Sequence, residues 1–345
     1  MSAPFHPDED GALVASATAG FARAHARHVE LVEDPLHLLA RRRDPRRRVG
    51  LVSGGGSGHE PLHAGFLGVG MLDAVAPGQV FASPHNRQVY AASRAAAGPD
   101  GVVHVVKNYT GDRINFAIAA ERLRLDGIEV RRVLVDDDVA TDSEETATGR
   151  RGTAATVVVE KLLGAAADRG AGLEELAGLG QAVAAASRSL AVASRAQTAG
   201  AGGGPAFELA ADELEYGVGI HGERAATTIP RPPRTELLRR MLDDLLAALP
   251  PSRDGDGGVL LVVNGLGGTT SLELYSLFDE VTALLGAAGA PVHGSLVGTY
   301  VAALDMAGFS LTLTRLEPGW SELWQAPADT PSLTRLPVDD PEVTP

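Results

Sequence analysis

Apolar residues along this chain fall into two alternating rhythms. Short β-branched runs, Val49–Val52, Gly101–Lys107, Val130–Val135, Gly258–Val263, Val292–Val297 and Ser310–Leu316, read as strands, and most stop against glycine, asparagine or aspartate. Gln79–Ala82 is a shorter strand candidate ending at Ser83-Pro84. Between these runs, apolar positions at helical spacing predict a helix from about Asn115 that carries Phe116, Ile118, Ala119, Leu123 and Leu125, and others over Ala154–Arg169, Thr235–Leu249 and Leu272–Gly286. The stretch from about Gly11 to Ala40 also reads as helical, broken at Asp34-Pro35. Strands alternating with helices indicate an α/β fold with a parallel sheet.

A chain of 345 residues exceeds the usual single core, so two domains are expected. The first, residues 1–190, is an α/β domain on a parallel sheet; the second, 191–335, is a further α/β or α+β domain. Composition shifts at the glycine-rich segment Thr198–Pro205, and residues 336–345, acidic and proline-containing, are expected to be a disordered tail. The net charge of −14 argues against nucleic acid as the main partner, and the one basic cluster, Arg41–Arg43 with Arg46–Arg48, reads as a solvated face. With no cysteine there is neither a disulfide nor a thiolate nucleophile. The beginning MSAPFHPDEDGALV lacks the basic and apolar regions of a signal peptide, and no window approaches a membrane span, so a soluble, cytoplasmic protein is expected.

The candidate chemistry lies where strands end. Val49–Val52 runs into Ser53 and the glycines Gly54, Gly55 and Gly56, and Pro61 then marks a helix start. A loop between a strand end and a helix start suits a ligand laid against bare backbone. It matches neither the phosphate-loop spacing, which needs a lysine, nor a dinucleotide fingerprint, which needs a ribose-binding acid. His59 and Glu60, directly after the glycines, favour a small-molecule site over a purely structural turn. A second strand exit carries Lys107 and Asp112, where Asp112 alone reads equally as a helix cap. A third carries Asp136-Asp137-Asp138, read as a turn before a metal site because a hard cation needs oxygens converging from different directions. His221 stands among glycines and, taken alone, reads as a histidine satisfied in a turn.

Three segments together, GGGSGHEP at 54–61, KNYTGD at 107–112 and GVGIHGE at 217–223, resemble the dihydroxyacetone kinase family, specifically its substrate-binding K subunit. TATGRRG at 146–152 and VNGLGGTT at 263–270 agree, and the resemblance spans about residues 10–335. It implies a two-domain α/β subunit that forms a homodimer and holds a short ketose through a hemiaminal bond to a histidine nitrogen. By motif, His221 would be the covalent histidine. His59 and Asp112 would hydrogen-bond and deprotonate the hydroxyl being phosphorylated, and Gly56, Ser57, Ser83 and Lys107 would line the ketose. No metal or cofactor is implied on this chain. Mg-ATP or Mg-ADP is expected on a helical nucleotide-binding (L) partner subunit, because the family's further nucleotide-binding region has no counterpart in this sequence. A phosphotransfer-system (M) subunit is a second possible partner, with phosphoenolpyruvate as the ultimate donor. The departures sit in the second half: Arg224-Ala225 stands where the family has Pro-Gly, and Gly265 where it commonly has Asn. The alternatives are a ketose-sensing transcriptional coactivator paralogue and, more remotely, a metal-dependent hydrolase or aldolase using Asp136–Asp138 with His59.

Overall fold

The computed structural model describes residues 12–141, 149–198, 204–223, 227–251 and 258–336. After the helix α1 (Ala12–Ala24), the chain forms β1 (Val29–Glu33) and β2 (Leu36–Ala40), then β3 (Gly50–Ser57) and β4 (Ala74–Val80). It continues through α2 (Asn86–Ala96), β5 (Val102–Lys107), α3 (Thr110–Leu125) and β6 (Val130–Val135). These strands make a six-stranded sheet in the order β1-β2-β4-β3-β5-β6. The pairs β3–β4, β3–β5 and β5–β6 are parallel, whereas β1–β2 and β2–β4 are antiparallel. The expected parallel sheet is therefore a mixed one with an antiparallel hairpin on its edge.

That hairpin replaces the helix expected up to Ala40. Val29 and Leu31 share one face of β1, with exposed Glu30 on the other, and Asp34-Pro35 turns the chain so that Leu31 faces Leu38 and Val32 faces His37. A period of two was concealed by the alanine-rich helix just before it. The glycines also differ from expectation: Gly54–Gly56 lie inside β3, and no helix begins at Pro61, only a single 3-10 turn at Ala64–Phe66. The strand persists through the glycines because its neighbours come too close for side chains. A Cβ on Gly54 would strike the Ala76 carbonyl, and one on Gly55 would strike the Lys107 amine.

Two helices follow, α4 (Ala155–Asp168) and α5 (Leu173–Ala185). Then come β7 (Ser187–Arg195), β8 (Glu213–Tyr216), β9 (Thr227–Pro230) and α6 (Arg234–Ala248). The chain closes with β10 (Val259–Gly265), α7 (Ser271–Ala287), β11 (Val292–Gly298), β12 (Ala307–Arg315) and α8 (Trp320–Gln325). The second sheet runs β11-β10-β12-β7-β8-β9 and is antiparallel except for β10–β11. Phe207–Leu209 joins no strand. Every residue of α4 is buried, as a helix apolar nearly all round must be. Its core cluster takes in Leu51 and Val103 of the first sheet and Leu260 and Leu296 of the second. Among the described residues no helix is long and apolar enough to cross a membrane.

The basic cluster is only partly a solvated face. Arg48 pairs with Asp100 at the surface, but the Arg47 guanidinium is fully buried. It donates to Asp168 Oδ1 at 2.6 Å, to the Met71 carbonyl at 2.8 Å and to the Gly164 carbonyl at 3.1 Å, and pairs with Asp73 at 2.9 Å. Arg47 thus ties the entry of β3 to β4 and to the end of α4. Replacing it with methionine strips Asp168 of its paired guanidinium and leaves Asp73 only Arg43, at 3.6 Å, so we expect a loss of ~3–5 kcal/mol of stability. Denaturant titration checks this, and a midpoint unchanged from the parent would exclude the clamp.

Candidate functional site

The parallel strands of the first sheet all point their carboxyl ends at one edge. Strand β3 lies between β4 and β5, so the connections leave it in opposite directions and open a crevice there. The predicted residues come from these exits: His59 after β3, Ser83 after β4, Lys107 at the end of β5 and Asp112 in the first turn of α3. The second sheet supplies His221, from the β8–β9 connection, and the Ala302 carbonyl, from the β11–β12 connection.

His59 and His221 meet edge to face, with ring centroids 4.7 Å apart. His59 is buried, and its Nδ1 lies 2.8 Å from the Ala302 carbonyl. A carbonyl oxygen can only accept, so Nδ1 carries the hydrogen and Nε2 presents a bare lone pair. That Nε2 has no hydrogen-bond partner. Burial holds the His59 pKa well below its ordinary value, and His221 and Lys107 add to the effect, so the ring is neutral. His221 remains partly accessible, with 19% of its side chain exposed. Its ring is enclosed by Tyr109 at 4.3 Å and Phe81 at 5.6 Å, and Phe81 also stacks on His59 at 5.2 Å. Phe81 takes a left-handed backbone, φ 55°, unusual for a bulky residue.

The His221 loop is held from the first half of the chain. Its backbone N–H donates to Glu223 Oε2 at 2.8 Å, and Glu223 pairs with Arg151 at 3.4 Å. Arg151 also reaches Asp138 at 2.6 Å and donates to the Gly217 carbonyl at 2.9 Å. Asp137 instead accepts from the backbone N–H of Thr153 at 2.7 Å and of Ala155 at 3.0 Å, and from the Ser189 hydroxyl. The aspartate run is thereby committed to anchoring loops, and among the described residues no group of three or more His, Cys, Asp or Glu is arranged to hold a metal ion.

Of the residues expected to line a ketose, Gly56 packs its bare Cα against Phe81 and Ala82, and Ser83 packs its hydroxyl on Gly111 beside Asp112. Ser57 donates its hydroxyl to the Gly78 carbonyl at 2.7 Å, which leaves only its lone pairs for a ligand. Lys107 is fully buried, and burial lowers its pKa against the opposing pull of Asp112 and Glu160. Asp112 is also buried, and one of its oxygens has no partner; nor does the Tyr109 hydroxyl. His59, Asp112 and Tyr109, all at strand exits of the first sheet, each carry a buried polar atom without a partner, which a small polyhydroxylated ligand would satisfy. Sequence reasoning missed Phe81, Tyr109, Arg151, Glu223, His63 and Glu160. Only Tyr109, Arg151 and Glu223 lie within motifs that could have flagged them. Thr148, Arg224 and Ala225 fall outside the described residues. A cavity of about 580 Å³ is lined by Gly55–Gly58 and by Leu13, Val14 and Phe21 of α1, but its lining includes neither His59 nor His221.

Comparison with known proteins agrees with this geometry. The Dak1 domain matches residues 19–332. The dihydroxyacetone-binding subunit DhaK of a PTS-dependent dihydroxyacetone kinase from Listeria innocua is 43% identical over 92% of this chain and 96% of its own length. The corresponding subunit of the PEP-dependent kinase from Escherichia coli is 38% identical over 91% and 94%. Among solved structures, a dihydroxyacetone kinase operon co-activator superposes with a TM-score of 0.87 at 30% identity, covering 93% of this chain and 98% of that one. The dihydroxyacetone kinase of C. freundii superposes with 0.87 at 34% identity, covering 100% of this chain and 62% of that one. Matched almost end to end, this chain belongs to the Dak1 domain family and is a relative of its DhaK dihydroxyacetone-binding subunits.

Proposed function

We propose that this chain is the ketose-binding subunit of a dihydroxyacetone kinase. It captures dihydroxyacetone on His221 and presents a terminal hydroxyl to a phosphoryl donor carried by a partner subunit. The observation that carries this is the meeting of His59 and His221 at 4.7 Å, at the exits of β3, β4 and β5 that also carry Lys107 and Asp112. An imidazole nitrogen adds its lone pair to the ketone carbon, so a C–N bond forms as the C=O π bond breaks. The oxygen gains a proton and the imidazolium loses its ring proton, leaving a neutral hemiaminal. The bound ketose then offers a hydroxyl whose one hydrogen is taken by Asp112, while the bare Nε2 of His59 accepts from another hydroxyl of the bound ketose.

The nucleotide, with its magnesium, is assigned to a helical partner subunit. Its donor, ATP directly or phosphoenolpyruvate through a phosphotransfer subunit, is identified by reconstitution. In support, Gly54–Gly56 lie within a strand and open no helix, so they do not form a phosphate-cradling turn. We assign the chain a homodimeric state, to be tested by sedimentation. The decisive experiment mixes the chain with a helical nucleotide-binding subunit, each donor and dihydroxyacetone, with a four-carbon ketose in parallel. Phosphorylated ketose is the expected product. A ketose adduct on His221 with no product from any partner would instead mark a sensor of the co-activator kind.

A further inference from the structure

Behind the crevice lies a second set of polar side chains that the chemistry above does not use. Glu160 and His63 are both buried, Glu160 completely, in a helix whose every other residue is buried too. Glu160 Oε1 is 2.6 Å from His63 Nδ1, and His63 Nε2 is 2.8 Å from the Lys107 amine. Lys107 settles the tautomer: an ammonium can only donate, so Nε2 is the bare acceptor and Nδ1 of the neutral ring carries the hydrogen. Nδ1 points between Glu160 and the Ser53 hydroxyl, which lies 3.0 Å from it and 2.9 Å from the Val105 carbonyl. The amine is at the same time pressed against Gly55, where any side chain would collide with it.

A buried lysine serving only as core filler would need one counter-charge and no relay. Here three polar groups from β3, α4 and the turn after β3 are spent on one amine, at a site where each costs free energy to desolvate. We propose that His63 and Glu160 are positioning residues for Lys107, forming a buried Glu160–His63–Lys107 chain that holds the amine at the ketose crevice and maintains its positive charge there. Glu160 fixes the His63 tautomer, and His63 in turn fixes the amine, as the carboxylate of a hydrolase triad orients its histidine. The ammonium then faces the oxygens on which negative charge develops as the hydroxyl loses its proton.

The titratable groups that face Lys107 are His59 and His63 from the segment after β3, Asp112 from α3 and Glu160 from α4. Asp112 and Glu160 both favour the ammonium, whereas burial opposes it. Burial also pushes Glu160 up to about 8, against the pull of Lys107, so the two groups share their charge state. Glu160→Gln removes the carboxylate that forms on the alkaline side, and with it the pull that keeps Lys107 protonated there, so the amine loses its proton at lower pH.

This proposal rests on the kinase reading, and the test separates the two. In the reconstituted enzyme, Glu160→Gln is expected to leave KM for dihydroxyacetone within about threefold, to lower kcat at least tenfold, and to move the alkaline limb of the pH–rate profile about one unit towards acid. His63→Gln, which keeps an acceptor for Lys107 but loses the link to Glu160, should move the same limb in the same direction. A folded Glu160→Gln protein whose profile overlays that of the parent would overturn the proposal. Should these variants not fold, the unaltered protein still decides: ketose addition should change the infrared band of a protonated buried carboxyl, and a band unaffected by saturating ketose would overturn the proposal too. Failure of the parent to form the His221 adduct or to turn over would sink the kinase reading itself, and the positioning role with it.

Discussion

A His221→Ala protein should lose the intact-mass adduct with dihydroxyacetone and, with it, most of its preference for ketose over glycerol. Glycerol carries the same terminal hydroxyls as dihydroxyacetone and differs at the central carbon. A pocket that merely fits and hydrogen-bonds hydroxyls separates such near-isosteres by about 10²-fold or less. Bond formation is a different filter, because only an electrophilic carbonyl carbon can be captured. The geometry around His221 suits a ring that must be both held and reachable. Tyr109 and Phe81 hold it edge-on, Glu223 fixes its backbone, and 19% of the side chain stays open. Alanine removes the imidazole and leaves Glu223 and Arg151 paired, so the loop itself has no reason to collapse. The expected result is ketose affinity reduced at least tenfold, discrimination against glycerol falling towards about 10², and a melting temperature close to the parent's. Mass spectrometry of the adduct, paired with turnover on both substrates, checks this. An alanine variant that still discriminates like the parent would show that selection does not depend on the covalent bond.

How much of this was legible in the sequence depended on how local each signal was. Strands such as Val102–Lys107 and Val130–Val135, and helices such as α6 and α7, were readable because their periodicity is carried by their own residues. Strand β7 was not. SRSLAVASR is rich in serine and alanine and follows two alanine-rich helices, yet it sits in the second sheet between β12 and β8. Its strand character comes from pairing with β8 and with the distant β12, where the Ser189 hydroxyl lies 2.7 Å from that of Thr312. The glycines of β3 misled for the same reason. In one dimension three glycines read as a loop, but in space they are a strand stripped of side chains so that Lys107 and Ala76 can approach.

The candidate site followed the same division. His59, Asp112 and His221 stood out because each lies in a motif of unusual composition, and the folded chain brings His59 and His221 into contact. Arg151 reaches Glu223 across 72 positions of sequence and His63 reaches Glu160 across 97, and neither pairing leaves a local trace. The residues proposed to meet the ketose were visible as motifs, whereas the pairings that hold them depended on tertiary packing.

The sharpest division of labour is expected between Asp112 and His59. Asp112→Asn should form the His221 adduct normally and yet turn over about 10²–10⁴-fold more slowly, because the amide keeps the shape of the carboxylate and cannot accept a proton. Phosphoryl transfer replaces the substrate O–H with O–P, so one proton must leave the hydroxyl. Two groups with unpartnered acceptor atoms stand ready, Asp112 Oδ1 and His59 Nε2. They are not equivalent. Protonating His59 would create a buried cation beside His221 and Lys107, and both burial and those neighbours hold its pKa well below the ordinary value. Proton transfer to a carboxylate creates no cation, and Lys107 lies within electrostatic reach of Asp112. On the proposed reading Asp112 takes the proton, while His59 accepts from another hydroxyl of the bound ketose and holds it in register. His59→Asn should accordingly raise KM and lower kcat by a smaller factor than Asp112→Asn. Adduct formation by mass spectrometry, followed by kcat and KM for both variants with the same partner subunit, decides between them. An Asp112→Asn enzyme of undiminished turnover, or a His59→Asn enzyme with the larger loss in kcat, would reverse the assignment and make the histidine the base.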